Sequence, residues 1–267
     1  MSGISFGLEG KTCVITGGSS GIGLATADLL LKVGARVAIC ARDEARLQSA
    51  ARQLAEAHGP DRILAQPCNV LDEKQVDSLA SAVQARFGDA AVLVNNAGQG
   101  RMSSFANTTD AAWQEELELK FFSLIRPIRA FLPQLERSGM GSVVCVNAML
   151  AKQPEAYMAA TSSARAGVLN LAHSIAHDFA AKNVRVNSIL IGVVESNQWR
   201  KRYETQAAQG QSWDEYTRML ARERHVPMGR LGKPVEAANA ILFLASPLSS
   251  YTTGSAIDVT GGNARHV

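Results

Sequence analysis

The sequence predicts an α/β fold in which helices cover both faces of a doubly wound, parallel, seven-stranded sheet. Short strand-like runs alternate along the chain with amphipathic segments of helix length, which is the pattern of βαβ units. The runs VITG, VAIC, VLVNN, VVCVN and VRVNSILI are almost uninterrupted in apolar residues, as expected of strands buried on both faces. A glycine-rich segment follows the first strand and opens the first helix.

The predicted strands are short, and the predicted helices are long enough to return the chain over a face of the sheet. The strands are predicted at Thr12–Thr16, Arg36–Cys40, Ile63–Pro67, Ala91–Asn95, Ser142–Asn147, Val184–Leu190 and Ala256–Val259. The helices are predicted at about Gly21–Lys32, Asp43–His58, Asp72–Phe87, Thr109–Arg137, Glu155–Lys182 and Pro234–Ala245. No linker interrupts the alternation, so residues 1–267 are expected to form a single domain.

One segment, residues 195–226, breaks the alternation between the sixth and seventh strands. It is polar and basic, and its aromatic residues are Trp199, Tyr203, Trp213 and Tyr216. An insertion after the carboxyl end of a strand lies where such sheets bind ligands, so a helical substrate lid is one interpretation. A helical surface excursion that packs its aromatic side chains on the body of the domain is the other, and the sequence leaves both open.

The composition fits a globular α/β protein. Hydrophobic residues make up 46% of the chain, and the formal net charge of +3 is too small to indicate nucleic-acid binding by itself. The first residues lack the pattern of a signal peptide, and no stretch is long and apolar enough to predict a membrane span. The four cysteines lie in or beside strand-like runs without a CxxC pair, which predicts reduced core residues. We therefore expect a cytoplasmic protein that binds neither membranes nor nucleic acid.

The segment Thr16–Gly23, TGGSSGIG, lies between the first strand and the first helix, which is the context that a dinucleotide-binding fingerprint requires. Gly17 would permit the tight turn, Gly21 the approach of a pyrophosphate, and Gly23 the close packing of helix on strand. Free amides and the helix dipole would then face the phosphates. The candidate cofactor-binding residues here are Gly17, Ser19, Ser20, Gly21, Ile22 and Gly23. This context makes the predicted fold Rossmann-type.

The end of the second strand, Cys40-Ala41-Arg42-Asp43, predicts which cofactor is preferred. An NAD-preferring site places a carboxylate there to accept the ribose 2′-hydroxyl. Ala41 occupies that place, and the Arg42 guanidinium can pair with a 2′-phosphate. Asp43 is interpreted as the cap of the following helix. The sequence therefore predicts NADP(H) rather than NAD(H).

Motifs spread along the chain carry a resemblance to a known family. TGxxxGxG corresponds to Thr16–Gly23, NNAG to Asn95–Gly98, and the run that begins RVN to Arg185–Gly192, with Ile191 in place of a proline. The C-terminal YTTG and GG motifs also match. Over nearly its whole length the chain resembles the short-chain dehydrogenase/reductase family. The resemblance also implies a homotetramer or homodimer.

The resemblance implies further cofactor-binding residues along the chain. Asn69 and Val70 would lie beside the adenine, and Asn96, Ala97 and Gly98 would line the adenosine ribose side. Val194 and Ser196 would hold the nicotinamide carboxamide, and Gly192 is a further cofactor-binding residue. Asn69 departs mildly from the family, which usually has Asp there. The resemblance further implies that the helices at about 109–137 and 155–182 pack into bundles between subunits.

The resemblance also identifies four catalytic positions, and all four have changed. The family uses Asn, Ser, Tyr and Lys, the last two spaced YxxxK. Alignment through AGV at 166–168 places Arg165 at the lysine position and Thr161 at the tyrosine position. Counting by the family's usual intervals places Ala148 at the serine position and Lys120 at the asparagine position.

The four replacements differ in what they can do chemically. Ala148 can neither donate nor accept through its side chain, and the Thr161 hydroxyl is far less acidic than a phenol. Arg165 keeps a cation that could bind the nicotinamide ribose. Lys120 places an amine beside Arg165, where burial and like-charge repulsion would lower its pKa. A lysine tuned toward neutrality could be the general acid/base.

Other residues near these positions have simpler interpretations. Tyr157 lies one helical turn before Thr161 and could reach the site, but packing on the 195–226 segment is favoured. His173 and His177 have the i, i+4 spacing of zinc ligands, but no third ligand is near in the sequence, so no metal is predicted.

Two functions of different classes follow from these residues. One is an NADP(H)-dependent oxidoreductase with an atypical catalytic centre, which transfers hydride to or from a small carbonyl or alcohol substrate. The other is a catalytically silent NADP(H)-binding protein that acts as a sensor or partner subunit, because all four catalytic positions changed together. The first is favoured, since the cofactor motifs are complete. Nucleic-acid binding has only the basic run Arg200–Arg202 in its favour.

Overall fold

The structure, a computed structural model, describes residues 5–266. The strands are β1 (Thr12–Thr16), β2 (Arg36–Ala41), β3 (Ile63–Pro67), β4 (Ala90–Asn95), β5 (Gly141–Ala148), β6 (Val184–Ile191) and β7 (Ala256–Val259). The helices are α1 (Gly21–Lys32), α2 (Glu44–His58), α3 (Glu73–Phe87), α4 (Asp110–Arg137), α5 (Ala159–Ala180), α6 (Asn197–Gln206), α7 (Trp213–Glu223) and α8 (Pro234–Ala245).

The sheet has the order β3-β2-β1-β4-β5-β6-β7, and every neighbouring pair is parallel. The direction of winding reverses between β1 and β4, which is the switch point at which open α/β sheets bind ligands. The predicted doubly wound, Rossmann-type sheet is confirmed. Each predicted strand lies within one residue of its observed bounds. For the five inner strands the reason is that buried parallel strands leave continuous apolar runs in the sequence.

The core consists of one apolar layer on each face of the sheet. On one face, α3, α4 and α5 contribute a buried cluster that includes Phe131, Val83 and Val168. On the other, α1, α2 and α8 contribute a cluster that includes Leu30 and Leu47. Hydrophobic burial on both faces holds the carboxyl ends of the strands in a fixed arrangement. Within residues 5–266, no helix has the length and the apolar character needed to cross a bilayer.

Helix α5 begins later than the sequence predicts. The prediction began it at Glu155, but the observed first residue is Ala159. The preceding residues form a turn instead, in which Met158 N donates to Glu155 O at 2.9 Å. An isolated bridge follows, since Ser103 N donates to Tyr157 O at 2.8 Å and Ala159 N donates to Ser103 O at 2.7 Å. This bridge joins segments that are distant in sequence, so local periodicity could not reveal it.

Residues 195–226 contain the two short helices α6 and α7. Their aromatic side chains pack on one another: the Tyr203 ring centroid lies 5.4 Å from those of Trp213 and Tyr216. Around them, Leu220 and Val226 form a third apolar cluster that also includes residues flanking the segment. The segment therefore has a small core of its own.

Candidate active site

A groove of about 860 Å³ lies at the carboxyl ends of β1, β2, β4, β5 and β6, across the switch point. It is lined at one end by the glycine-rich turn and at the other by Lys120 and Arg165. Parallel strands and the helices that follow them place backbone amides and side chains along this edge. The groove thus brings together residues that the sequence predicted for cofactor binding and for catalysis.

The glycine-rich turn has the shape that a phosphate cradle requires. Gly17 and Gly21 have φ angles of +68° and +55°, in the region that favours glycine. A Cβ atom on Gly23 would lie 2.3 Å from Gly17 O, so any side chain there would force the turn and α1 apart. The turn exposes the amino end of α1, where free N–H groups favour an anion.

Thr16 and Asn96 fix this turn against the end of β4. Thr16 Oγ1 accepts hydrogen bonds from Asn96 N and Ala97 N, each at 3.0 Å. Asn96 Nδ2 donates in turn to Thr16 O and Gly17 O, also at 3.0 Å. These four bonds hold the glycine-rich turn against the end of β4.

Arg42 lies exposed at the adenosine end of the groove, beside Ala41. Asp43 is the N-cap of α2: its carboxylate accepts from Arg46 N at 3.0 Å, as the sequence predicts. The Arg46 guanidinium also lines the groove, although it lies 3.1 Å from the Asp43 carboxylate. No sequence motif points to Arg46, which adds a second cation where a 2′-phosphate would lie.

Most of the other predicted cofactor-binding residues line the same groove. They are Ser19, Ser20, Ile22, Asn69, Val70, Asn96, Ala97, Gly98, Arg165, Gly192, Val194 and Ser196. Gly23 instead lies beneath the turn, where it permits close packing. Ser196 has an additional role as N-cap of α6 and accepts from Trp199 N at 3.4 Å. The amides, hydroxyls and cations of this set fit a phosphorylated dinucleotide.

Lys120 is buried, and its amine is held by two acceptors. Nζ lies 2.6 Å from Glu116 Oε1 and donates to Gln99 O at 2.7 Å. Burial and the positive charge of Arg165 lower the pKa of Lys120 to about 8, although the Glu116 carboxylate opposes the shift. The prediction that Lys120 lies beside Arg165 with a lowered pKa agrees with this arrangement. An amine of this pKa is populated in both protonation states near neutral pH.

Glu116 links Lys120 to Thr161. Its side chain is buried, and Oε1 also accepts from Thr161 Oγ1 at 2.5 Å. The Thr161 hydroxyl is itself buried and lies 3.2 Å from Arg101 O. Sequence analysis missed Glu116, although its i, i+4 spacing from Lys120 on α4 was a usable signal. Thr161 therefore contacts the groove through Glu116 and Lys120, not through its own hydroxyl.

Arg165 ties the start of α5 to the end of β5. Nη1 donates to Val146 O at 3.1 Å and to Asn147 Oδ1 at 3.4 Å, and Asn147 Nδ2 donates back to Arg165 O at 3.1 Å. Nε is buried and has no hydrogen-bond partner among residues 5–266. Burial lowers the pKa of Arg165 to about 10, so the side chain remains a cation at neutral pH.

A second cavity, of about 500 Å³, adjoins the catalytic end of the groove. Ala148 and Tyr157 line it, and both cavities share Gly100, Gly192 and Trp199. Tyr157 contacts Arg224, just beyond the end of α7: Arg224 donates to the phenol and its guanidinium carbon lies 5.3 Å from the ring centroid. Tyr157 thus packs on the 195–226 segment, as expected, and faces this cavity as well.

The histidine pair on α5 lies away from both cavities. The His173 and His177 rings meet edge to face at 5.1 Å, and His173 Nδ1 lies 2.9 Å from Gly254 O. Among residues 5–266, no group of three or more His, Cys, Asp or Glu side chains has the arrangement of a metal site. Each free cysteine in the described part of the chain is buried.

Similarity to known proteins identifies the family of this chain. The protein-family model for enoyl-(acyl carrier protein) reductase matches residues 17–264. A 3-oxoacyl-[acyl-carrier-protein] reductase of Vibrio cholerae is 32% identical, over 96% of this chain and 98% of its own. The chain belongs to the short-chain dehydrogenase/reductase family.

Two solved structures are similar to the chain over almost its whole length. A short-chain oxidoreductase of Pseudomonas aeruginosa, bound to NADPH and with an atypical catalytic centre, is 59% identical with a TM-score of 0.94, covering 98% of this chain and 99% of its own. The L-sorbose reductase of Gluconobacter frateurii, with NADPH and L-sorbose, is 34% identical with a TM-score of 0.93, covering 99% and 100%. The prediction of a short-chain oxidoreductase with an atypical catalytic centre is confirmed, and the bound NADPH agrees with the predicted cofactor.

Proposed function

We propose that the protein is an NADP(H)-dependent oxidoreductase that reduces or forms a carbonyl group, with Lys120 as the general acid/base. The observation that carries the proposal is the Lys120 amine, which lines the groove with a lowered pKa beside an adjoining cavity. Hydride transfer to a carbonyl group produces an alkoxide, which must gain a proton to become the alcohol product. In a site with little water, a positioned acid must supply that proton. The relatives named above are reductases that act on carbonyl compounds, which supports the same reaction class.

The residues along the groove have separate roles in cofactor binding and in proton transfer. Arg42 and Arg46 hold a 2′-phosphate, the amino end of α1 holds the pyrophosphate, and Arg165 donates to the nicotinamide ribose. Bound NADP(H) supplies or accepts the hydride. Lys120 Nζ gives a proton to the substrate oxygen during reduction and takes it during oxidation. Ala148 lacks the hydroxyl that the family has at this position, and Lys120 is a proton donor that lines the groove.

Glu116 and Gln99 O position the Lys120 amine for this task. They take up two of its three donor directions, and the third remains for a substrate oxygen. Protonated Lys120 predominates below a pH of about 8, so reduction is fastest there and slows as the pH rises through the pKa. Oxidation has the opposite dependence, because it requires the neutral amine.

The 195–226 segment acts as a substrate lid in this proposal, within a single domain that spans residues 1–267. Support comes from Trp199, Arg202 and Arg224, which all line the cavity beside the catalytic residues. A homotetramer or homodimer formed through α4 and α5 accounts for the exposed apolar Leu117 and Phe122 on α4. Cytoplasmic location stays a prediction from the composition.

A second function, cofactor binding without turnover, is supported by the replacement of all four catalytic positions. In that case the Lys120–Glu116 pair is a structural ion pair inside a nucleotide sensor. A test must therefore separate cofactor binding from hydride transfer.

NADPH and NADH are titrated into the protein by fluorescence, and NADPH oxidation is then followed with a panel of aldehydes, ketones and oxo acids. We expect tighter binding of NADPH and oxidation with at least one substrate class. Lys120→Met should lower the rate about 100- to 10,000-fold and leave NADPH affinity nearly unchanged. Lys74→Met, at an exposed position on α3, is the matched control. Full activity in Lys120→Met contradicts its role, and binding without oxidation in the unaltered protein favours the sensor.

A further inference from the structure

We propose that the cavity beside the catalytic residues selects carbonyl substrates that carry an anionic group, a carboxylate or a phosphate, and that Arg224 binds it. This inference rests on the proposed function and adds the substrate class. The cavity of about 500 Å³ has the size of a small-molecule site, and three arginines line it: Arg202, Arg224 and Arg265. None of the three lies within 4.0 Å of a carboxylate in the described part of the chain.

Two of these guanidinium groups are positioned by aromatic rings rather than by carboxylates. Arg224 lies 5.3 Å from the centroid of Tyr157 and donates to its phenol, and Arg202 lies 4.7 Å from the centroid of Trp199. An aromatic partner orders an arginine without neutralising its charge or occupying all of its donors. Both side chains are half-buried, so an anion that bound them would displace little water and gain charge-assisted hydrogen bonds.

Acidic residues of the cavity do not cancel this charge. Glu155 and Glu223 also line it, but only Glu155 is half-buried, whereas Glu223 is exposed. Glu215, the most constrained acid of the 195–226 segment, faces elsewhere and accepts from Ser212 N in the cap of α7. The half-buried charges of the cavity are thus two arginines against one glutamate.

The anion-binding cavity directly adjoins the groove that contains Lys120. Gly100, Ile191, Gly192, Gln198 and Trp199 line both the cavity and the groove that holds Lys120. A substrate can therefore place its anionic group toward Arg224 while its carbonyl oxygen lies toward Lys120. A neutral carbonyl compound would leave the two guanidinium groups of Arg202 and Arg224 without an anionic partner.

Matched substrates test this proposal. NADPH oxidation is measured with linear oxo acids and their methyl esters, and with dihydroxyacetone phosphate and dihydroxyacetone. We expect kcat/KM to be at least about 10-fold higher for the charged member of one pair, since a hydrogen bond to a charged group is worth about 1.5–3 kcal/mol. The pair that shows the preference identifies the anion as carboxylate or phosphate.

Variants then assign the preference to the cavity. Arg224→Met should narrow the charged-to-neutral ratio about 10-fold or more, and Glu155→Gln should widen it, because a like charge is removed. Arg222→Met, an exposed arginine on α7 that does not line the cavity, is the matched control and should keep the ratio. Equal kcat/KM within both pairs, or an unchanged ratio in Arg224→Met, overturns the proposal.

A binding measurement keeps the two proposals separate. The same anions are titrated by calorimetry into the protein saturated with NADP+, with and without Arg224→Met. Anion binding that depends on Arg224 supports the anion site even where no substrate is turned over, which contradicts only the proposed reaction. Absence of such binding contradicts the anion site, whatever the outcome of the kinetic assay.

Discussion

The two ends of the cofactor groove are built by different means. At the adenosine end, side chains such as Thr16 and Asn96 hold the backbone in shape, and the groups offered to a ligand are mostly amides. At the catalytic end, side chains hold other side chains: Glu116 binds both Lys120 and Thr161. Most substitutions leave the backbone amides in place, whereas the hydrogen bonds of a buried side-chain network require every residue of the network. The comparison explains how a family's cofactor site can persist while its catalytic residues are exchanged together.

Of the three further substitutions that test this comparison, Arg42→Met is expected to have the largest effect, a loss of NADPH affinity. Arg42→Met removes a charged partner of the 2′-phosphate, so NADPH affinity should fall about 10- to 100-fold while NADH affinity stays nearly constant. Fluorescence titration of both cofactors measures this. Arg52→Met, an exposed arginine on α2 that does not line the groove, serves as control. Equal losses for NADPH and NADH would mean that Arg42 only shapes the backbone.

The catalytic end is tested by Glu116→Gln, with a smaller effect. The Glu116 carboxylate raises the pKa of Lys120 against the effects of burial and Arg165. Its removal should therefore shift the inflection of the pH profile for carbonyl reduction from about 8 to lower pH, and slow the reaction at neutral pH several-fold. Rates measured between pH 6 and 9.5 reveal the shift. A profile that keeps its inflection, or moves it upward, contradicts the assignment of that inflection to Lys120.

The smallest effect concerns Asp43, the acid next to Arg42. Because its carboxylate caps α2, Asp43→Ala should lower the free energy of unfolding by about 1 kcal/mol and leave the preference for NADPH unchanged. Urea unfolding and a cofactor titration on the same sample check both statements. A changed preference with unchanged stability would give Asp43 a role in binding the ribose instead.

The fold and the cofactor groove could be predicted from the sequence because both depend on the local order of apolar residues and glycines. The continuous apolar runs identify five of the seven strands (β1, β2, β4, β5 and β6), and the turn around Gly17 needs glycine at fixed spacing. Contacts between segments that are distant in sequence could not be predicted in this way. The bridge between Ser103 and Met158 delays the start of α5, and spacing alone could not reveal it. The link from Glu116 to Thr161 crosses 45 residues for the same reason.

The cavity shows the same limit. Composition indicated that the 195–226 segment carries both cations and acids, and gave no way to sort them. The structure separates them by position: Arg202 and Arg224 line the cavity and are half-buried, and Glu223 lines it but is exposed. Glu215 is used in a helix cap. Charged residues in a sequence therefore indicate a substrate class only when the structure shows which of them line the same cavity.

The shared oxygen of Glu116 has a consequence for the routes by which such a centre can arise or revert. Thr161→Tyr alone would force a phenol into a buried position and strand the carboxylate that Thr161 now satisfies. Lys120→Asn alone would leave Glu116 buried without its cation. Each single reversion leaves the buried Glu116 carboxylate without one of its partners, so we expect Lys120, Glu116 and Thr161 to change together in evolution.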